Sequence, residues 1–381
     1  MRSALEHVEI PDEHEARERS WRVAQAAFPE RQPAPRSHRR RLVPAIAIVA
    51  ASATVAAALS SPGHALLHSI RQTVGVQGAQ PALFSFPSVG QLLVHSGGGV
   101  WVVQADGSKR HLGSYTSAAW SPNGLYVAAT HRNALYALTP SGDERWSLAR
   151  PSVRFPRWTG TRTDTRIAYL TTSRLHVVTG SGNGDVDAGG IVGGLSAAAG
   201  IAPSWRPGTR HVLAFANTAG RVFAIDTDAG SDFWPHVPVR SAPFPGPRLL
   251  TWSTDGRRLL LVTRDKLALF GTSSATPLWV RHERVVDAAF RPGTREIALI
   301  RRRGAVREVE IGRRVLFSSA GDLRGLTWSP DGRWLLVGLP EADQWIFLRA
   351  DGRKILAVAN VSAQFRSQTF PRIEGWCCAQ P

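Results

Sequence analysis

Residue types that could do chemistry are thinly spread along these 381 residues. The nearest approach to a serine nucleophile elbow is GLSAAAG, Gly194 to Gly200. Such an elbow needs a second glycine two residues after the serine, so that a strand can bend sharply into a helix. Ala198 stands there, so the string is set aside. GSGNGDVDAGG, Gly180 to Gly190, places Asn183, Asp185 and Asp187 at alternate positions, as calcium loops do. The closing glutamate is missing and Ala188 replaces the usual glycine, so this stretch reads as a long connecting loop. His111, His131, His176, His211, His236 and His282 are scattered, with no ligand-spaced pair on one element. Cys377 and Cys378 are adjacent, which is neither a disulfide framework nor a zinc pattern; such a pair either closes a small ring or stays reduced. RRRGAVR, Arg301 to Arg307, is the densest basic run after the first 60 residues. It reads as a charged hairpin edge that resists pairing with other sheets. Paired carboxylates for glycoside cleavage are not legible. The sequence therefore assigns no catalytic residue, no cofactor and no metal ligand.

What the chain repeats is a phrase of structure. AWSPNG ends at Gly124, TWSTDG at Gly256 and TWSPDG at Gly332. Each is followed by an apolar run and then an alternating run. Asx-Gly is a strong hairpin signal, because the turn needs positive φ. Weaker copies carry Trp158, Trp205 and Phe290 in the aromatic position. The aromatics Trp120, Trp158, Trp205, Trp252, Phe290 and Trp328 are spaced by 38, 47, 47, 38 and 38 residues. A seventh unit, with the phrase degraded, starts at Phe86. A strand ending at the aromatic, a buried second strand, a half-exposed third and a looser fourth make one propeller blade. One blade cannot bury both its faces, so blades must stack around an axis. The expectation is all-β: a seven-bladed propeller of four-stranded blades, within a range of six to eight, over residues 81–381. The tail from Gly352 is expected to give the last outer strand and a closing segment, with Trp376 and the cysteine pair as a packed plug.

WSPDG, WSPNG and WSTDG resemble the TolB-like, WD-repeat-like β-propeller family over about 300 residues. Gly142 to Trp146 and Gly230 to Trp234 share a G-x-x-x-W spacing, similar to the tryptophan-docking repeat of quinoprotein-like propellers. Trp279 lacks the glycine. Both resemblances imply a propeller, and neither implies a cofactor.

Ahead of the repeats, Leu42 to Ser60 is a run of 19 residues without charge. About 20 apolar residues span a bilayer as a helix. Arg36, Arg39, Arg40 and Arg41 precede it and only Arg71 follows closely. The positive-inside rule then puts residues 1–41 in the cytoplasm and everything after Ser60 outside. The 41 residues before the run are too many for an ordinary signal-peptide n-region. Pro11 to Phe28 is expected to be an amphipathic helix, with Ala16, Ser20, Val23, Ala24, Ala27 and Phe28 on one side. It is a candidate dock for a cytosolic partner. Residues 61–80 are a linker with a possible short helix from His64 to Val76.

The net charge is +17. Residues up to Arg41 carry +2, leaving +15 for the rest. A basic exterior calls for an envelope protein, an anionic wall polymer or anionic lipid, and not for nucleic acid. Only Lys109, Lys266 and Lys354 among 46 basic residues are lysine, which also fits composition bias. The reading is a non-enzymatic, membrane-anchored binding module of the cell envelope, a sensor or assembly factor. An anchored propeller enzyme, quinone-dependent or hydrolytic, is the alternative. A signalling protein of anti-sigma-like layout is a weaker one.

Overall fold

The local turn decides the blade. In three copies the serine after the aromatic donates its hydroxyl to the Asx side chain: Ser121 to Asn123 (3.0 Å), Ser253 to Asp255 (2.6 Å) and Ser329 to Asp331 (2.5 Å). The same serine oxygen accepts the N–H five residues on, from Tyr126, Arg258 or Trp334. Gly124, Gly256 and Gly332 then donate back to the serine carbonyl at 2.9–3.0 Å, with φ of +65 to +69°. A side chain is disfavoured at that φ, so glycine ends the phrase. The repeated Asx is therefore consumed by its own turn.

The computed structural model describes residues 75–76, 79–83, 85–172, 174–188, 200–208, 210–234 and 243–378. The expected helix at 11–28, the span at 42–60, most of the short helix at 64–76 and most of the Gly194 to Gly200 string lie outside them. Among the described residues no helix is long and apolar enough to cross a membrane.

Seven antiparallel sheets of four strands form, each in the order a-b-c-d. The a strands are Arg372–Cys377, Ser117–Trp120, Arg154–Gly160, Ser204–Trp205, Pro247–Trp252, Val285–Phe290 and Arg324–Trp328, in blades 1 to 7. Each a strand contacts the a strands of both neighbouring blades, so the seven close a ring around an axis. The b strands are the apolar runs. Val212–Ala216, Leu259–Thr263 and Trp334–Leu339 are buried at every residue, because a blade is covered on both faces. The outer strand Glu144–Ala149 has no fully buried residue.

The core is correspondingly divided. Seven apolar clusters form, one in each gap between adjacent blades. The repeated aromatics serve these gaps. Trp205 and Trp328 donate their indole N–H to the carbonyls of Arg157 and Ala289, each just before the aromatic of the preceding blade. The G-x-x-x-W spacing has a similar use. Trp146 lies over Gly182 of the next blade, where a Cβ would come within 2.9 Å of the ring, and donates to the Gly180 carbonyl at 2.9 Å. Trp234 donates to Gly271 of its next blade.

The tail corrects the plug expectation. Ile355–Val358 is the outer strand of blade 7, but Arg372–Cys377 is the innermost strand of blade 1. It pairs with Gln91–Ser96, Trp376 opposite Leu92. Trp376 is thus the seventh repeat aromatic, packed edge-on against Phe86 and Phe347. The unit at Phe86 looked degraded because its aromatic strand arrives from the other end of the chain. Cys377 and Cys378 are joined as a disulfide, and Cys378 sits against Gly124 of blade 2. The same step recurs around the ring: Pro207 lies on Gly256, Pro292 on Gly332 and Pro330 on Gly90. Arg206 and Arg291 reinforce two of these contacts by donating to the Gly256 and Gly332 carbonyls (2.6 and 2.7 Å).

Candidate functional site

The a–b turns occupy one rim of the ring, where these blade-to-blade contacts lie. The opposite rim carries the b–c hairpins and the starts of the a strands. There a groove of about 810 Å³ crosses blades 5, 6 and 7. The starts of the a strands contribute Arg248, Arg284 and Arg324; the b–c hairpins contribute Arg264, Arg302 and Arg307. Asp265 and Asp322 are the two carboxylates in the lining, and the apolar remainder is Pro245, Val285, Val286 and Leu323 with Gly246.

Alternation along the hairpin sorts the RRRGAVR run. Arg301 pairs with Glu283 (2.9 Å) and Glu310 (2.5 Å), and Arg303 with Glu308 (2.6 Å). Arg302 and Arg307 point into the groove and stand directly opposite each other in the register. Like charges directly opposite across two strands are destabilising. Arg307 is partly relieved by Asp322 at 2.9 Å, which Arg324 also approaches at 3.4 Å. Among the described residues the Arg302 side chain meets only the Gly304 carbonyl, at 3.3 Å. The side chains of Arg248, Arg264 and Arg284 are exposed and make no hydrogen bond or ion pair with the described residues. Six forks and two carboxylates leave the groove strongly cationic. The arrangement can hold an anion through bidentate contacts. The ionisable side chains of its lining are the six arginines and the two aspartates.

The hairpin-edge reading of Arg301 to Arg307 needs correction: the run lies on the two middle strands of blade 6, with Arg301 and Arg303 paired to glutamates and Arg302 and Arg307 lining the groove. Sequence reasoning also missed Arg248 and Arg324, although a signal was present. Arg154, Arg248, Arg324 and Arg372 each stand four residues before a repeat tryptophan, at the start of an a strand.

Most of the other candidates have local partners, and His236 lies outside the described residues. Asp185 accepts from Arg150 Nε and from the Tyr169 hydroxyl, both at 2.7 Å, and Asp187 pairs with Arg174 at 2.6 Å. These carboxylates fasten blade 3 to itself and to blade 2. His211 pairs with Asp228 at 2.6 Å, while His176 stacks on Tyr169. Among the described residues no group of three or more His, Cys, Asp or Glu could hold a metal ion. A second cavity of about 540 Å³, around Trp146 and Arg166, lies between blades 2 and 3.

One carboxylate lies where blades 6 and 7 meet. Asp287 accepts the N–H of Ala288 and, across the gap, that of Leu326, both at 2.8 Å. Burial pushes its carboxyl up to about 6, against those N–H donors, which hold it down. An acid whose proton is held more tightly in the folded chain stabilises the fold at low pH. That contribution is full below about 4 and lost as pH rises through about 6. Urea melts of the native protein and Asp287→Ala should therefore diverge more at pH 4 than at pH 7, by about 2 kcal/mol. A pH-independent difference would remove this role.

No family model and no curated protein matches the chain. Solved structures do. Kluyveromyces lactis Hsv2 aligns with a TM-score of 0.49 at 10% identity, over 72% of this chain and 95% of that one. The β-propeller domain of Myceliophteria thermophila Cps50 (Swd1) gives 0.48 at 9%, over 65% and 86%. Kuenenia stuttgartiensis hydrazine synthase gives 0.43 at 14%, over 62% and 77%. These are likenesses of fold. The chain is a seven-bladed propeller of four-stranded blades, established by its own seven sheets.

Proposed function

We propose that this chain is a membrane-anchored, extracytoplasmic binding module that holds an anionic partner of the cell envelope in its arginine groove, in a TolB-like role as sensor or assembly factor. The observation that carries the reading is the convergence of six arginines from three blades on one groove. Guanidinium groups stay charged at any physiological pH, so they hold and orient anions but do not shuttle protons. That favours binding over catalysis. Anchoring rests on the uncharged run from Leu42 to Ser60 and the arginines before it. The +15 charge after residue 41 suits anionic lipid head groups or wall polymers on the outer side.

Protease shaving of intact cells or spheroplasts tests the topology. Mass spectrometry should find peptides after Ser60 released and those before Arg41 protected. A protected propeller would reverse the orientation and bring cytosolic anions, nucleic acid included, back as partners.

A further inference from the structure

The geometry points to a specific ligand chemistry for the groove: a linear chain of phosphate groups, bound by its backbone charges across blades 5, 6 and 7. The inference rests on the anionic-partner reading above and narrows it.

The repeat architecture sets the spacing of the cations. Blades 5 and 6 each offer one arginine at the start of strand a and at least one from the b–c hairpin, and blade 7 adds Arg324. Cations therefore recur along the groove at the interval between blades. A single small anion would satisfy one or two forks and leave the others facing each other. A polymer with an anion on every unit meets them in turn. The opposed Arg302 and Arg307 point the same way, since a phosphate between them converts a repulsive pair into two charge-assisted contacts.

The lining also bears on what the ligand lacks. Among the described residues it contains no aromatic ring, so these give no platform for stacked bases, which single-stranded nucleic acid exploits. Val285 and Leu323 are buried in the blades, leaving Pro245 and Val286 as the accessible apolar side chains among the described lining residues. An acidic peptide brings side chains that need such surface, whereas a phosphodiester or polyphosphate chain does not. All six cations are arginine, whose fork matches two phosphate oxygens at once.

The test uses the full chain in zwitterionic-lipid nanodiscs and a fluorescently labelled inorganic polyphosphate, read by anisotropy. Poly(glycerol phosphate), poly-L-glutamate, orthophosphate and phosphatidylglycerol vesicles serve as competitors. Binding should weaken at least tenfold between 50 and 200 mM salt, as counterion release requires. Poly(glycerol phosphate) should compete and the others should not. The triple variant R264Q/R284Q/R302Q should lose at least tenfold in affinity, and the salt slope should fall by about one per arginine removed. The charge-matched control R162Q/R313Q/R353Q, on the opposite rim, should bind as the native chain does. Equal loss in the control would show diffuse attraction by net charge and overturn the groove as a site. Better competition by poly-L-glutamate would overturn the phosphate chain and leave an anionic partner in place. Equal competition by orthophosphate or vesicles would reduce the site to a single-phosphate pocket, which also overturns the chain. No binding by any anion would overturn both readings.

Discussion

Deleting residues 372–381 is expected to abolish cooperative unfolding altogether. The cut removes the inner strand of blade 1 and leaves Gln91–Ser96 with its ladder unpaired on the axis side. Leu92 and Val94, both fully buried in the intact chain, would lose their cover. The loss is not confined to one blade. The inner strand also touches the a strands of blades 2 and 7, so the ring opens at two interfaces. A blade without neighbours on both faces cannot bury its apolar surface. The narrower variant Trp376→Ala keeps the strand and empties the gap shared with Phe86 and Phe347. Removing a buried tryptophan costs about 3–5 kcal/mol, a fall in Tm on the order of 10 °C. Calorimetry and near-UV circular dichroism read both variants. A peptide of residues 370–381 added to the truncated protein should restore the transition by strand addition. A sharp native-like melt of the truncated chain would mean that the ring is held shut elsewhere.

The second large effect is expected at Arg301→Met. Glu310 is 2% exposed and depends on Arg301, which Glu283 shares. Burial pushes the Glu310 carboxyl above its ordinary range, and Arg301 and Arg303 pull it partly back. Removing Arg301 leaves the buried Glu310 carboxylate with only Arg303, at 3.9 Å, to offset its charge, and breaking a buried pair costs up to about 3 kcal/mol. The loss has a pH signature. Glu310 would take up a proton more readily in the folded variant, so protonation rescues it. The defect should be larger at pH 8 than at pH 5, since an acid with a raised folded pKa loses its stabilising contribution as pH rises. The double variant Arg301→Met with Glu310→Leu should recover most of the stability, because an apolar pair of similar volume replaces a buried ion pair at little cost. Denaturant melts of the two variants at both pH values check this. A double variant no better than the single would show that packing, and not charge, holds that hairpin.

The parts of this molecule legible in the sequence are those written within one blade. Ser329, Asp331 and Gly332 make one local turn, and three copies of it gave the hairpin, the buried strand after it and the period. Parts assembled from distant segments were hidden. Trp376 and Leu92 are opposite partners with nearly the whole propeller between them, so no window contains both. The groove was hidden twice. Its arginines come from three blades, and in a chain with so few lysines an arginine four residues before a tryptophan does not stand out from the background. The opposition of Arg302 and Arg307 becomes visible only once the register is fixed. The sequence also offered a cation reading of Asp185 and Asp187, and only their bonds to Arg150, Tyr169 and Arg174 show what they do.

The contacts of Pro207, Pro292, Pro330 and Cys378 on neighbouring turn glycines all lie on one rim, away from the groove. The arginines of the groove lie on the other rim, at the starts of a strands and on b–c hairpins. On the proposed reading, cohesion and recognition are thus inherited separately. The groove rim can lengthen, shorten or change its charge while the wheel beneath keeps its fit. Descendants of this chain are free to drift toward new ligands along that rim, and a protein engineer can graft onto it without redesigning the hub.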